Sequence, residues 1–226
     1  MADWDTDAAL GGHLRDQNAT AEKKPKNEHR WIWFVTGPTA CGKTTVAKAL
    51  AKDLNFTYIE GDDYHPKANV DKMSRGEPLT DQDRAGWLQA LAEHETAAPP
   101  TCSSSPHLVI TCSALKRHYR DILRLGSEHA GDLRVRFIFL NAPEEVLRER
   151  AMKRKGHFAG AELVRSQFEV LEMPDPSKKE EEGGEKDVVV VDVDQRGQEE
   201  VERSVVGVVR GEMGRELEEG DFLRVN

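Results

Sequence analysis

A chain of 226 residues can bury one good-sized core and fits one domain better than two. Charged residues make up 32% and hydrophobic residues 38%, and no apolar run approaches the ~20 residues of a bilayer span, so no membrane segment is expected. The formal net charge of -9 argues against a nucleic-acid partner, which requires a basic face, but a local cluster of cations could still bind a small anionic substrate.

Residues 1–30 mix acidic, glycine and lysine-rich pieces without apolar periodicity. Such a stretch cannot bury enough surface to offset its ordering entropy, and it reads as a disordered tail. Asp3, Asp5 and Asp7 argue against a mitochondrial presequence, and nothing resembles the apolar core of a secretion signal. Cys41, Cys102 and Cys112 are odd in number and match no zinc spacing, which fits a reducing cytoplasm.

The apolar run Trp31–Thr36 reads as a first strand, and Thr45–Lys52 as a helix. Between them lies Gly37-Pro38-Thr39-Ala40-Cys41-Gly42-Lys43-Thr44. Strand, Gly-bounded loop and helix are the context in which GxxxxGK[ST] becomes a phosphate cradle. Residues Gly37 to Thr45 are therefore the candidate nucleotide site, where loop amides and the positive end of the new helix hold a polyphosphate. Lys43 would reach the β- and γ-phosphates of ATP, and the Thr44 hydroxyl would ligate Mg2+. Cys41 inside the loop has two readings, a small residue that fits and an oxidation-sensitive thiol.

Phe56–Ile59 reads as a second strand running into Glu60-Gly61-Asp62-Asp63. The βαβ rhythm predicts a parallel sheet whose strand ends gather on one edge, where open α/β folds bind ligands. Asp62 then sits near the phosphates, unless it is a plain turn carboxylate. The stretch Tyr64–Arg84 is rich in groups that bind polar substrates, with a short helix after Pro66 and a longer one capped by Thr80 or Asp81.

Ala97–Pro106 is a Pro/Ser-rich surface loop, followed by a third strand at Leu108–Thr111 and a small-residue turn at Cys112–Lys116. In the next helix Lys116, Arg120 and Arg124 recur every four residues, as either a solvated face or an anion-binding wall. Val135–Leu140 is a fourth strand. The helix after Pro143 carries Arg150 and Arg154 on one side, which suits either a transferring phosphoryl group or the negative end of the helix dipole. A helix over 161–171, a mobile charged loop over 178–186, a fifth strand at Asp187–Asp192 and a closing helix over 198–217 complete the chain.

Five segments in order carry a resemblance: GPTACGKTT, GDDYHPKANVDKMSRGEPLTDQDRAGWL, CSALKRHYRDILR, RERAMKRKGHF and SQFEVLEMP. Over about residues 31–210 the chain resembles the gluconokinases, small-molecule kinases of the P-loop group, and the second segment is the specific one. The resemblance implies a three-layer α/β fold, with a five-stranded, mostly parallel sheet, helices on both faces and a mobile lid over about 150–172, in a kinase domain spanning 31–219. It implies ATP- and Mg2+-dependent phosphorylation of D-gluconate at its 6-hydroxyl, feeding the pentose phosphate pathway. Such kinases are often homodimers.

Joined to the residue reading, the resemblance implies a catalytic set of Lys43, Asp62, Arg150 and Arg154. Asp62 would position or deprotonate the acceptor hydroxyl, or hold Mg2+ through water. The two arginines would neutralise the transferring phosphoryl. His65, Asp83, Arg84, Lys116 and Arg120 would surround gluconate. Ala40 departs from the Gly more usual at its position, which matters if that position needs positive φ. Another kinase of this architecture, or a catalytically silent nucleotide binder, are the alternatives. The second segment argues against the first, and the lid arginines argue against the other.

Overall fold

The computed structural model describes residues 29–75, 77, 79–96, 105–129, 133–155 and 158–222, without the side chains of 94–96, 127–129, 154, 155, 158, 159 and 215–222. The N-terminal tail up to residue 28, the Pro/Ser-rich stretch 97–104, and Gly156 with His157 lie outside the described residues.

Five strands, β1 (Arg30–Thr36), β2 (Thr57–Glu60), β3 (Leu108–Thr111), β4 (Leu133–Asn141) and β5 (Val188–Asp192), form one sheet in the order β2-β3-β1-β4-β5. Every pairing is parallel, so the sheet is wholly rather than mostly parallel. β1 lies at its centre, and residues 31–36 are buried without exception, as a strand covered on both faces requires.

The helices are α1 (Lys43–Leu54), α2 (Lys67–Ser74), α3 (Asp81–Thr96), α4 (Arg117–His129), α5 (Glu144–Lys155), α6 (Phe158–Phe168) and α7 (Gln198–Phe222). Because side chains alternate along a strand, β1 feeds two cores. Trp31, Trp33 and Val35 pack with apolar residues of α1, α5, α6 and α7, whereas Ile32 and Phe34 pack with those of α3 and α4. Phe34 stacks on Phe137 of β4 with ring centroids 5.4 Å apart, and removing such a buried ring costs about 3–5 kcal/mol. α1 turns Val46, Ala47 and Leu50 inward and stops at Asn55, whose left-handed conformation (φ 56) lets its N–H close on the Ala51 carbonyl.

The parallel arrangement brings Thr36, Glu60, Thr111, Asn141 and Asp192 to one edge of the sheet. The charged 178–186 segment departs from the mobile loop expected of it. It forms a short 3-10 turn at Glu180–Glu182, the Gly184 amide donates to the Lys179 carbonyl at 2.8 Å, and Glu185 is buried. The physical reason is a charge pair: Glu185 receives Arg120 and Arg124, which fasten the segment to α4.

Candidate active site

The phosphate loop has the shape its sequence predicts. Gly37 (φ 128) and Gly42 (φ 105) take conformations closed to most side chains, and a Cβ on Gly37 would stand 2.6 Å from the Leu140 carbonyl oxygen. Ala40 also lies in the left-handed region (φ 66), so the departure from Gly costs roughly 1–2 kcal/mol of local strain but does not prevent the loop from closing. Lys43 Nζ donates to the carbonyls of Gly37 (3.0 Å) and Pro38 (2.9 Å), which holds the ammonium across the loop. Burial pushes the Cys41 thiol above its ordinary pKa, and this favours the reading of a small packed residue over a reactive one.

At the mouth of this loop stands a residue the sequence reading passed over. Glu60, the last residue of β2, accepts from Thr44 Oγ1 at 3.1 Å and from Tyr58 Oη at 2.5 Å, and Thr111 Oγ1 donates to its other oxygen. Burial works against the charge of Glu60, but these three donors outweigh it and hold the carboxyl below its usual range. Tyr58 is pushed up to about 12, by burial first and then by its bond to Glu60, so it remains a donor. The rule that strand C-termini face the site points to Glu60 as readily as to Asp62 two residues later. Gly61 follows because nothing larger fits: a Cβ there would lie 2.0 Å from the Thr111 carbonyl oxygen.

Beyond Gly61 the chain forms the acceptor side. Asp62 sits on the 3-10 turn Gly61–Tyr64 with its side chain 75% exposed, and one of its oxygens lies 4.0 Å from His65 Nε2. The His65 ring is itself nearly buried, stacked on Trp87 at 4.1 Å, and Trp87 Nε1 donates to the Gly61 carbonyl at 2.7 Å. Burial lowers the His65 pKa, opposed by Asp62 and helped by Arg84, so the imidazole is neutral near pH 7 and supports Asp62 from behind. Arg84 donates to the Leu79 carbonyl and faces the Tyr119 ring at 5.8 Å. Lys116 faces the same ring and binds both oxygens of Asp81 at 2.8 Å. That lysine, with Tyr119, pulls the Asp81 pKa down to about 2. Asp62 approaches His65, Arg84 lies close enough to act on the His65 charge, and Arg84 and Lys116 face one Tyr119 ring, so the four form one polar cluster.

Three other residues read from sequence have different surroundings. Arg120 is fully buried, and its donors go to both Glu185 oxygens (2.8 and 2.6 Å), to the Ala114 carbonyl and to the Glu172 carbonyl. Releasing one partner of such a buried pair costs about 3–5 kcal/mol, so Arg120 is a clamp behind the Cys112–Lys116 turn and not a substrate ligand. Asp83 accepts from the Thr80 N–H and hydroxyl at 2.8 Å and returns its own N–H to Thr80, a capping box that starts α3. Lys72 binds both Asp83 oxygens and, with Thr80, brings its pKa down to about 2, so Oδ2 is taken up by the helix cap and Lys72 and Oδ1 is shared with Lys72.

Arg150 donates to the Val193 carbonyl at 2.7 Å. It lines a pocket of about 180 Å³ on the outer side of the phosphate loop, with Cys41, Gly42, Thr45, Val193 and Arg196. The loop carrying Val193 and Arg196, between β5 and α7, had no motif to mark it. Arg154 lies on the last turn of α5, and its side chain falls outside the described residues.

Comparison with known proteins bears on what this site does. The AAA domain family matches residues 32–173. The chain is 44% identical over 186 residues to the probable gluconokinase of Schizosaccharomyces pombe, spanning 82% of this chain and 91% of that one. It is 40% identical over 169 residues to the thermoresistant gluconokinase of Escherichia coli, spanning 75% and 88%. A solved gluconokinase from Sinorhizobium meliloti superposes with a TM-score of 0.67 at 36% identity, over 88% of this chain and 99% of that one.

Proposed function

This chain belongs to the gluconokinase family, and from that membership we propose how its own residues carry out the reaction. The reaction is transfer of the γ-phosphoryl group of ATP to the 6-hydroxyl of D-gluconate, giving 6-phospho-D-gluconate for the pentose phosphate pathway. The observation that carries the proposal is the juxtaposition, through Thr44, Glu60 and Gly61, of a preformed phosphate loop with the polar cluster of Asp62, His65, Arg84 and Lys116.

Phosphoryl transfer needs positioning and charge neutralisation more than a strong base. Lys43 swings from its two loop carbonyls to the β- and γ-phosphates. Asp62, exposed and backed by neutral His65, orients the gluconate 6-hydroxyl and accepts its proton as the O–P bond forms. Lys116 is held by the Tyr119 ring and by a partly exposed pair with Asp81, a pair worth about 0–1 kcal/mol. It can therefore exchange that partner for the gluconate carboxylate at small cost, as Arg120 cannot. Arg150 contributes to the nucleotide pocket beside Val193 rather than to the γ-phosphate. Arg154 is left as the arginine for the transferring group, on an arm of α5 and α6 that closes as a lid; of the expected span 150–172, Gln167 is tied to the phosphate loop and Phe168 and Leu171 to the two cores, so the moving part ends before Gln167.

Mg2+ is part of the same reading. Thr44 and Glu60 supply a hard, all-oxygen environment beside Lys43. Among the described residues no three His, Cys, Asp or Glu side chains form a metal cage, which suits a cation carried mainly by phosphate oxygens and water. Held there by Thr44 with Glu60 behind it, Mg2+ would supply positive charge against the polyphosphate. Glu60 organises Thr44 there, which leaves Asp62 to the hydroxyl. A homodimer and a cytoplasmic location complete the proposal. Among the described residues no helix is long and apolar enough to cross a membrane, and Cys41 and Cys112 are buried and in no disulfide.

The test is ATP consumption with Mg2+ and a panel of gluconate, shikimate, AMP and glucose, each against a blank without acceptor. Gluconate-dependent turnover that falls about 100-fold or more in Asp62→Asn, with unchanged thermal unfolding, is the expected result. Turnover only with another acceptor, or a fully active Asp62→Asn variant, would overturn the assignment.

A further inference from the structure

The last of the five sequence segments, Ser166–Pro174, has no part in the mechanism above, although it touches both halves of the site. Gln167, near the C-terminal end of α6, accepts a hydrogen bond from the Thr39 backbone N–H of the phosphate loop at 2.7 Å, across 128 residues of sequence. Five residues on, Glu172 brackets the turn that presents Lys116. Its N–H donates to the Leu115 carbonyl at 2.9 Å, and its carboxylate receives the Arg117 N–H at 2.7 Å. Its carbonyl receives Arg120 at 3.1 Å.

We propose that Gln167–Glu172 is a strap whose two ends position the two substrates: Gln167 sets the phosphate loop for ATP, and Glu172 sets Lys116 for the gluconate carboxylate. The Glu172 half rests on the assignment of Lys116 to gluconate made above.

The physical grounds are local. The phosphate loop is built around a strained residue, Ala40 at φ 66, and Thr39 precedes it directly. A neutral amide oxygen that fixes the Thr39 N–H holds the loop without placing a negative charge beside a polyphosphate, which a glutamate there would do. At the other end Arg117 is the first residue of α4, and its N–H has no partner within the helix. Glu172 supplies an acceptor from another element, and the negative charge complements the positive end of the helix dipole. Between the two ends the strap is anchored from below: Phe168 packs on the core shared by α1 and α7, and Leu171 on the core shared by α3 and α4. One short segment thus spans both cores and reaches both substrate sites. Neither Gln167 nor Glu172 touches a reacting atom in this scheme, and both act by holding other groups in place.

The experiment pairs calorimetric binding of a non-hydrolysable ATP analogue, measured without gluconate, with steady-state kinetics and thermal unfolding. The variants are Gln167→Ala, Glu172→Ala, Glu172→Gln and Lys116→Ala. Gln167→Ala should raise the Kd and KM for the nucleotide by about fivefold or more while leaving the KM for gluconate within about twofold. Glu172→Ala should do the reverse, and Glu172→Gln, which keeps an acceptor oxygen, should recover most of the loss. A merely structural role would lower unfolding temperature and shift both KM values together, and that outcome overturns the strap. Unchanged constants in both alanine variants overturn it too. A raised gluconate KM in Lys116→Ala with none in Glu172→Ala removes the Glu172 end alone. An unchanged gluconate KM in Lys116→Ala overturns the acceptor assignment itself, and the Glu172 end with it.

Discussion

Lys116 and Arg120 are one helical turn apart, one just before α4 and one inside it, and they have opposite fates. Arg120 is buried against a buried Glu185, its hydrogen bonds complete, whereas Lys116 is 20% exposed and faces an Asp81 that is 52% exposed. Both are cations with a carboxylate partner at hydrogen-bonding distance. Burial separates them, because the Coulombic and desolvation terms of a buried pair lock it in place, while a wet pair is worth little and exchanges freely. One cation therefore builds the turn and the other is available to a ligand.

The largest effect should come from breaking the buried end. Arg120→Ala is expected to lose about 3–5 kcal/mol in chemical denaturation, since Glu185 is left with only Arg124, while the gluconate KM of the folded fraction rises less than in Lys116→Ala. Arg120→Met with Glu185→Leu should recover much of that stability, because an apolar pair of similar volume avoids the stranded charge. If Arg120→Ala instead raised the KM and left stability alone, the two ends of the stripe would not differ in the way described.

Lys116→Ala sharpens the contrast from the other side. Losing a charge-assisted contact of about 1.5–3 kcal/mol should raise the gluconate KM about ten- to 100-fold, and urea unfolding should move by less than about 1 kcal/mol. Asp81→Asn removes the competitor for Lys116, so it should lower that KM by about two- to threefold in the same assay.

The smallest effect is a pH dependence at His65, in the same polar cluster as Lys116. Its pKa is depressed in the folded protein by burial, so as pH falls the unfolded chain takes the proton first. The stability contributed by neutral His65 is present above about pH 6.5, the ordinary imidazole value, and is lost as pH falls through the lower folded pKa. Thermal unfolding from pH 7.5 down to 5 should show this drop in the wild type and a flatter profile in His65→Gln.

Much of this molecule was legible in its sequence. The apolar run of β1, the Gly-bounded loop and the spacing of α1 encode local conformations, and local conformation is what a sequence states most directly. What depended on contact between remote segments was not legible. Spacing by four put Lys116, Arg120 and Arg124 on one face, but only the return of the 178–187 segment decided which of them is buried. Thr80-x-x-Asp83 is a capping-box pattern, a local signal that gives Asp83 a structural role beside the substrate role expected of it. Arg150 and Arg154 share a spacing of four, but the β5–α7 loop that draws Arg150 to the pocket beside the phosphate loop carries no motif. Glu60 stands in no motif of its own, and only its bonds to Thr44, Tyr58 and Thr111 mark it beside Asp62.

The most direct test of the central claim identifies the product. Phosphorus NMR of a reaction containing the protein, ATP, Mg2+ and gluconate should show one new phosphomonoester signal, split into a triplet by the two protons of the C6 methylene. A doublet would place the phosphate on a secondary hydroxyl, and inorganic phosphate alone would mean hydrolysis without an acceptor. Either would contradict an active site that orients the 6-hydroxyl between Asp62 and the phosphate loop.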